Sequence, residues 1–412
     1  MKRVGRRLAS VAVAAALGGM ATGAAAGGFA IGTQSGSGTG NAFAGGAAAA
    51  DDASVAWFNP ALMTLLPGKQ VAGALHVLKP SFKFENTAST TPGNDGGDGG
   101  DWAYVPNAFF TMAVNPNLSF GLALNVPFGL KTEYDPAWRG RFLAIKSEIK
   151  TVNVNPSIAY KVSDMVSIGA GFSYQKLEAE LTNAAGALGT AKLEADDDGF
   201  GYNFGIFIHA SPDTRIGAHY RSAIKYDLEG TAKFTVAAGN AGVKADLEVP
   251  NSASLSLYQR LGTNWELLGD ITWTGWSSVQ QLNVICTSTS AACASGSTLG
   301  QPTLFNWKDT WRYALGANYK MSPQTKLRFG LAFDETPTND VDRTPRLPDE
   351  DRTWVALGVQ YKPSKTSIVD IGYAHEFIKD ASVNNSQGAA GQLVGTFKNQ
   401  ADILSIQFSL SF

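Results

Sequence analysis

The chain has 412 residues, of which 44% are hydrophobic and 17% charged. That charge content lies below the roughly 25% of ordinary soluble domains, and the net charge of −2 supplies no basic field for nucleic acid. No later stretch reaches the roughly 18 consecutive apolar residues of a spanning helix, which excludes a helical membrane anchor in the mature chain.

In chain order, Lys2, Arg3, Arg6 and Arg7 precede a short apolar run, 8–16, and Ala24-Ala25-Ala26 offers an Ala-x-Ala cleavage site. This is the pattern of a secretory signal peptide, residues 1–26, removed before Gly27. Residues 27–67 follow, rich in Gly and Ala and without alternation. Ser35–Gly40 has the glycines of a phosphate-cradling loop, but no strand precedes it and no Lys-Ser/Thr pair follows, so no nucleotide site is expected. Short helices are expected at 42–50 and 53–63. A segment of this size is too small to fold alone, and is expected to pack as a plug inside a larger body.

From residue 68 to 412 the sequence alternates. Val152, Val154, Ile158 and Tyr160 are interleaved with Asn153, Asn155, Ser157 and Lys161. Further rows follow at 166–174, 200–208, 216–228, 311–319, 327–333, 355–361 and 369–377. The last strand carries Leu404, Ile406, Phe408, Leu410 and Phe412 on one face and Ser405, Gln407, Ser409 and Ser411 on the other. Side chains on a strand alternate between faces, so each row has one apolar and one polar side. Tight turns such as Ser163-Asp164 and Ser322-Pro323-Gln324 alternate with long polar segments at 85–103, 130–147, 181–198, 229–250, 283–308 and 335–351. Short turns at one rim and long loops at the other are the asymmetry of an outer-membrane barrel. The expected fold is all-β: a transmembrane antiparallel β-barrel of about fourteen strands, with the plug in its lumen. A β-sandwich would bury the apolar faces of two sheets against each other, whereas these strands have one apolar face each.

Cys286 and Cys293, in a Ser/Thr/Ala-rich stretch, are expected as a disulfide in an oxidising compartment, with a reactive dithiol as the alternative. His76, His209, His219 and His375 stand in no catalytic or metal-binding spacing, so no catalytic residues, metal or cofactor are expected. Asp95, Asp98 and Asp101 match no calcium loop. The 342–351 loop reads as a solvated charged rim.

Gly28-Phe29, Ser35, Gly38, Gly40, Ala42, Gly45, Ala50-Asp51-Asp52-Ala53 and Asn59-Pro60-Ala61-Leu62 resemble the N-terminal hatch of the FadL family of outer-membrane transporters of long-chain fatty acids and hydrophobic compounds. Tyr220-Arg221-Ser222, Lys308-Asp309, Arg312, Phe333-Asp334 and Asp351-Arg352 extend the resemblance over the mature chain. It implies a monomeric fourteen-stranded barrel whose hatch, 27–67, blocks the lumen, with the wall formed by 68–412. It implies capture of a hydrophobic ligand at extracellular loops, passage to a site beside the hatch N-terminus, and sideways exit into the membrane. The partners are then the hydrophobic ligand and outer-membrane lipid and lipopolysaccharide. Fatty acid is the leading substrate, with aromatic or alkane hydrocarbon as the alternative. A general diffusion porin is the reading from another class.

The lateral gap is expected at Asn125-Val126-Pro127-Phe128-Gly129, because Pro cannot donate to a strand ladder and Gly weakens it. Asn125, Pro127 and Gly129 mark it. Expected ligand contacts are Phe29 and Ile31 near the mature N-terminus, Phe128, Leu130, Trp138, Phe142 and Leu143 in the segment after the gap, and Lys176 and Lys308 as basic groups. Loop or hatch self-packing is the alternative role for the apolar ones. Asn59, Pro60 and Ala61 are expected at the hatch turn that gates passage. Where the fatty-acid members place basic residues for the carboxylate, this chain has Leu181 and Thr303.

Overall fold

The structure is a computed structural model that describes residues 27–412. The expected signal peptide, 1–26, lies outside the described residues. The strands in chain order are β1 (Lys69–Asn86), β2 (Ala103–Asn115), β3 (Leu118–Asn125), β4 (Gly129–Glu133), β5 (Lys146–Lys161), β6 (Val166–Ala184) and β7 (Thr190–His209). Next come β8 (Thr214–Arg221), β9 (Ile224–Phe234), β10 (Ala241–Val249), β11 (Ser252–Leu261) and β12 (Trp265–Thr274). The short β13 (Gln281–Leu282), β14 (Ile285–Cys286) and β15 (Thr303–Leu304) lie in one long loop. The chain finishes with β16 (Thr310–Lys320), β17 (Thr325–Asp334), β18 (Arg352–Tyr361), β19 (Ser367–Ile378), β20 (Ala381–Ser386) and β21 (Gln392–Ser411). Counting β3/β4, β8/β9, β10/β11 and β19/β20 as broken single staves, the wall has fourteen antiparallel staves. It closes where β1 pairs with β21, from Gln70↔Ser411 to Asn86↔Gly395.

The closure explains why the alternation is inverted relative to a soluble protein. Ile158, Tyr160, Phe172, Phe204, Leu315, Leu357, Ile406 and Phe408 point outward and are exposed. Ser405, Gln407, Ser409, Asn153, Asn155 and Asn203 point inward and are buried. A closed barrel leaves no unpaired strand edge in lipid, where each unsatisfied backbone group costs several kcal/mol.

Two of the expected long loops are not loops. β6 and β7 pair continuously to Ala184↔Thr190, and β9 and β10 pair to Ala232↔Ala241. About ten residues suffice to cross a bilayer, so these hairpins continue well past it as a two-stranded rim. Their charged residues form cross-strand ion pairs, such as Lys192 with Glu180 and Lys233 with Glu194, and this polarity reads as loop in the sequence. In the 283–308 loop, Cys286 and Cys293 are joined as a disulfide, and β14 lies against β10 at Val243↔Cys286.

Residues 27–67 fill the bore. The helical pieces are Gly36–Thr39, Val55–Phe58 and a 3₁₀ turn at Pro60–Leu65. The helix expected at 42–50 does not form: Ala42 and Phe43 take φ of 46° and 57°, a left-handed kink that ends the helical path. The segment is tied to the wall all round. Asn41 Nδ2 donates to Phe329 O at 3.0 Å, and Arg312 donates to Ala42 O at 2.7 Å. Asp51 pairs with Lys326 (3.1 Å) and Arg328 (2.9 Å), and the Arg221 guanidinium lies 3.4 Å over the Trp57 ring.

The contact is close enough to require missing side chains. A Cβ at Gly217 would stand 1.7 Å from Ala47 O, and one at Gly330 2.2 Å from Asn41 C. Gly73 faces open space. Gly217→Val is therefore expected to unseat the middle of the segment and raise leakage of small hydrophilic solutes. Gly73→Ala is expected to leave leakage and heat-modifiable gel migration unchanged. Liposome-swelling rates of the two variants check this.

Candidate functional site

The stave β3/β4 is broken, and the break is built from the expected residues. β3 leaves β2 after the pair Ala108↔Leu124, and β4 pairs with β5. Residues 103–107 of β2 are bonded to β1 on one side. On the other side, among the described residues, no strand continues the ladder. Val126-Pro127-Phe128 spans the interruption. Pro127 has no N–H to offer, which is the local reason that the ladder stops here.

The N-terminal residues occupy the break. Ile31 N donates to Pro127 O at 2.8 Å, Gly129 N donates to Phe29 O at 2.9 Å, and Ala30 pairs antiparallel with Phe128. Gln34 clasps both edges. Its side chain donates to Val126 O (2.9 Å) and accepts from Asn125 Nδ2 (2.8 Å), and its carbonyl accepts from Asn107 Nδ2 (3.1 Å). Asn125, Pro127 and Gly129 thus all meet residues 29–34.

Behind the break lies a packed apolar cluster, a chamber filled by its own side chains, the Phe29 ring among them. The Phe29 ring sits 4.9 Å from Trp276, 5.7 Å from Phe128 and 5.8 Å from Trp307, centroid to centroid. Leu130, Leu177, Ile224, Tyr226 and Leu347 complete the lining. Ile31 stands next to the chamber and packs into a neighbouring cluster with Val126 and Val105. The expected contacts Phe29, Phe128 and Leu130 are therefore brought together here.

Others stand elsewhere. Lys176 shares the outward parity of β6 with Phe172 and pairs with Glu178 at 2.6 Å and Asp196 at 3.6 Å, so it faces away from the bore. Its neighbour Leu177 is the one that points in. Lys308 is exposed, while Trp307 before it enters the chamber. Trp138 is fully buried in a separate loop core with Tyr134, Phe84 and Phe397, and Leu143 packs beside it. Phe142 is half-buried under the Arg141 guanidinium. Trp138 and Leu143 thus pack in a closed cluster with residues of β1, β20 and β21, apart from Phe29.

The cation at the chamber is Arg346. Its flank Leu347 lines the chamber, its carbonyl accepts from Thr132, and its guanidinium donates to Ser147 Oγ at 3.1 Å. Ser147 faces inward and is two residues from Ile149, which packs against the chamber. Among the described residues Arg346 has no carboxylate partner, unlike Arg343, Arg352 and Arg328, each of which has two. Desolvation of this half-buried guanidinium without a counter-charge pushes its pKa down to about 10. The 342–351 loop is not a solvated rim: Arg343, Leu347 and Asp349 are buried.

At the other end of the hatch, Asn59 is buried, and its Nδ2 donates to Ala47 O (2.8 Å) and to Ile206 O of the wall (3.0 Å). Its Oδ1 accepts from Ala61 N at 3.0 Å and caps the turn that starts at Pro60. Asn59 therefore pins residues 27–67 to β7, while Pro60 and Ala61 open the turn that it caps.

An outward apolar belt, a polar bore filled by the chain's own beginning, and a broken stave over an apolar chamber define an outer-membrane β-barrel channel of the hydrophobic-compound type. The chain belongs to the family described as outer membrane protein transport protein (OMPP1/FadL/TodX), whose model matches residues 18–412. It is 28% identical over 410 residues to a long-chain fatty acid transport protein of Salmonella typhi, covering 89% of this chain and 92% of that one. Among solved structures it is similar to a Pseudomonas aeruginosa FadL homologue, with TM-score 0.85 and 25% identity, covering 93% of this chain and all of the other. The toluene transporter TbuX of Ralstonia pickettii shares the fold at TM-score 0.70 and 19% identity, covering 92% and 98%. The protein is thus located in the outer membrane, and its family is one of transporters and not of enzymes.

Proposed function

We propose that the protein carries long-chain fatty acids across the outer membrane by displacing Phe29 from the chamber and leaving through the break in stave β3/β4. The observation that carries this is the double role of the N-terminal residues. The Phe29 ring fills the apolar chamber, and the backbone of the same three residues closes the wall. A ligand that takes the place of the ring withdraws the backbone from the gap.

Magnitudes favour a long chain. Burying a Phe side chain contributes about 1.5–3 kcal/mol, and each methylene about 0.8 kcal/mol. A ligand the size of one aromatic ring gains little more than Phe29 loses. An alkyl chain that buries about ten methylenes gains roughly 8 kcal/mol, enough to expel the ring and break the two hydrogen bonds at 127–129, each worth about 1 kcal/mol. Arg346 supplies the counter-charge for a carboxylate at the chamber's extracellular end. Lateral exit keeps the tail in apolar surroundings, whereas an aqueous periplasmic exit would cost about 25 cal/mol for each Å² re-exposed. The hatch, 27–67, then serves as gate, and Asn59 as its fixed point. A neutral aromatic ligand is the second reading, favoured by the five aromatic rings of the chamber, Phe29, Phe128, Tyr226, Trp276 and Trp307.

The test is mass spectrometry of lipid co-purifying with the protein, combined with oleate and toluene uptake in a deletion strain. Enriched free fatty acid and an oleate-specific defect support the reading. An empty protein whose loss alters only the permeation of small hydrophilic solutes would indicate a porin.

A further inference from the structure

A second site in the bore is built for a free amine. Gly27 N lies 3.1 Å from Asp334 Oδ2, and Gly28 N donates to Asp349 Oδ2 at 2.8 Å. Both carboxylates are buried in one network. Arg352 pairs with Asp349 and, at 2.9 Å, with Glu376, and Arg312 reaches Asp334 at 3.9 Å. The charged groups of this network come from five places: Arg312 on β16, Asp334 on β17, Asp349 in the following loop, Arg352 on β18 and Glu376 on β19. Three carboxylates thus meet two guanidinium groups, one positive charge short. Glu376 is buried, and its Oε1 has no hydrogen-bond partner. An unbalanced buried carboxylate costs the fold more than a paired one. Gly27 is itself buried, and a Cβ there would stand 2.6 Å from Glu335 O, so the backbone is pressed into the nest with no space for a side chain.

We propose that this nest is a receptor for the α-ammonium of the mature chain, created by cleavage between Ala26 and Gly27. Hydrolysis of that peptide bond consumes one water and leaves a carboxylate on Ala26 and an ammonium on Gly27. The new cation supplies the missing positive charge and anchors the N-terminal end of the segment that closes the wall. Removal of the leader is then a requirement for seating residues 27–34 and not only for export. The proposal rests on the expected cleavage position and goes beyond the transport reading; it holds whatever ligand the protein carries.

The test uses the protein purified from the outer membrane. N-terminal sequencing is expected to begin at Gly27. An α-amine-selective aldehyde reagent at neutral pH is expected to label the folded protein at least tenfold more slowly than the heat-unfolded protein. In Asp349→Asn, which keeps the shape but removes a charge, labelling of the folded protein is expected to rise severalfold. A mature start elsewhere, or equal labelling of folded and unfolded wild-type protein, overturns the proposal. So does unchanged protection in a folded Asp349→Asn. Should that variant lose its heat-modifiable gel migration, the wild-type comparison decides alone. None of these readouts involves ligand, so they fail or succeed separately from the uptake experiments.

Discussion

Locking residue 30 to residue 128 is expected to abolish uptake of hydrophobic ligand, and unlocking to restore it. Ala30 and Phe128 are partners in the short antiparallel bridge across the wall break, flanked by the bonds Ile31 N to Pro127 O and Gly129 N to Phe29 O. This is a non-hydrogen-bonded pair, with Cα atoms near 4.5 Å in regular sheets, inside the range that a disulfide spans. The variant is Ala30→Cys/Phe128→Cys, with Cys286→Ser/Cys293→Ser removing the native disulfide. Phe128→Cys alone, in the same background, measures the loss of the ring. Under oxidising conditions oleate uptake is expected to fall to the level of the deletion strain. After reduction it is expected to return to that of the single variant. Uptake through the oxidised protein would place the exit elsewhere in the wall.

Replacing Arg346 is expected to separate acid from hydrocarbon. Hydrogen bonds to a charged group contribute about 1.5–3 kcal/mol, and every 1.4 kcal/mol is tenfold in affinity. Arg346→Gln is therefore expected to weaken oleate binding by about 10- to 150-fold and to leave toluene binding within about twofold. The variant also removes a half-buried cation that lacks a carboxylate partner. Thermal stability of the ligand-free barrel is then expected to stay the same or rise, because an unpaired half-buried charge is a cost to the fold. Equal losses for both ligands would assign Arg346 to packing of the 335–351 loop. Titration with each ligand by intrinsic tryptophan fluorescence reads the chamber directly, since Trp276 and Trp307 line it.

The wall was legible in the sequence because lipid imposes a period of two on its outer face. From Val152 to Tyr160, or Leu404 to Phe412, burial follows that alternation residue by residue. The strand interruption at 126–128 was legible for a related reason: Pro127 is chemically unable to continue a ladder. What was hidden follows from the same physics. Parity is exact in a strand, so choosing Lys176 over Leu177 puts the side chain on the wrong side of the wall. Trp276 and Trp307 escaped because each lies in irregular chain beyond a strand end, where no period indicates direction. A tryptophan just past Gly275, at the end of an otherwise outward-apolar strand, is the signal that could have found the first. The hatch carries no period, and its path depends on contacts with residues hundreds of positions away, such as Asn41 with Phe329. The rim hairpins were misread as loops because their outward residues are ion-paired and not apolar.

The central claim is that the ligand and the Phe29 ring compete for one chamber, and that their exchange opens the wall. A crystal structure of the protein saturated with oleate tests this most directly. The alkyl chain is expected between Trp276 and Trp307, the carboxylate at Arg346, and residues 29–31 detached from 127–129. Oleate bound with Phe29 still in place and the bridge at Ala30 and Phe128 intact would contradict it.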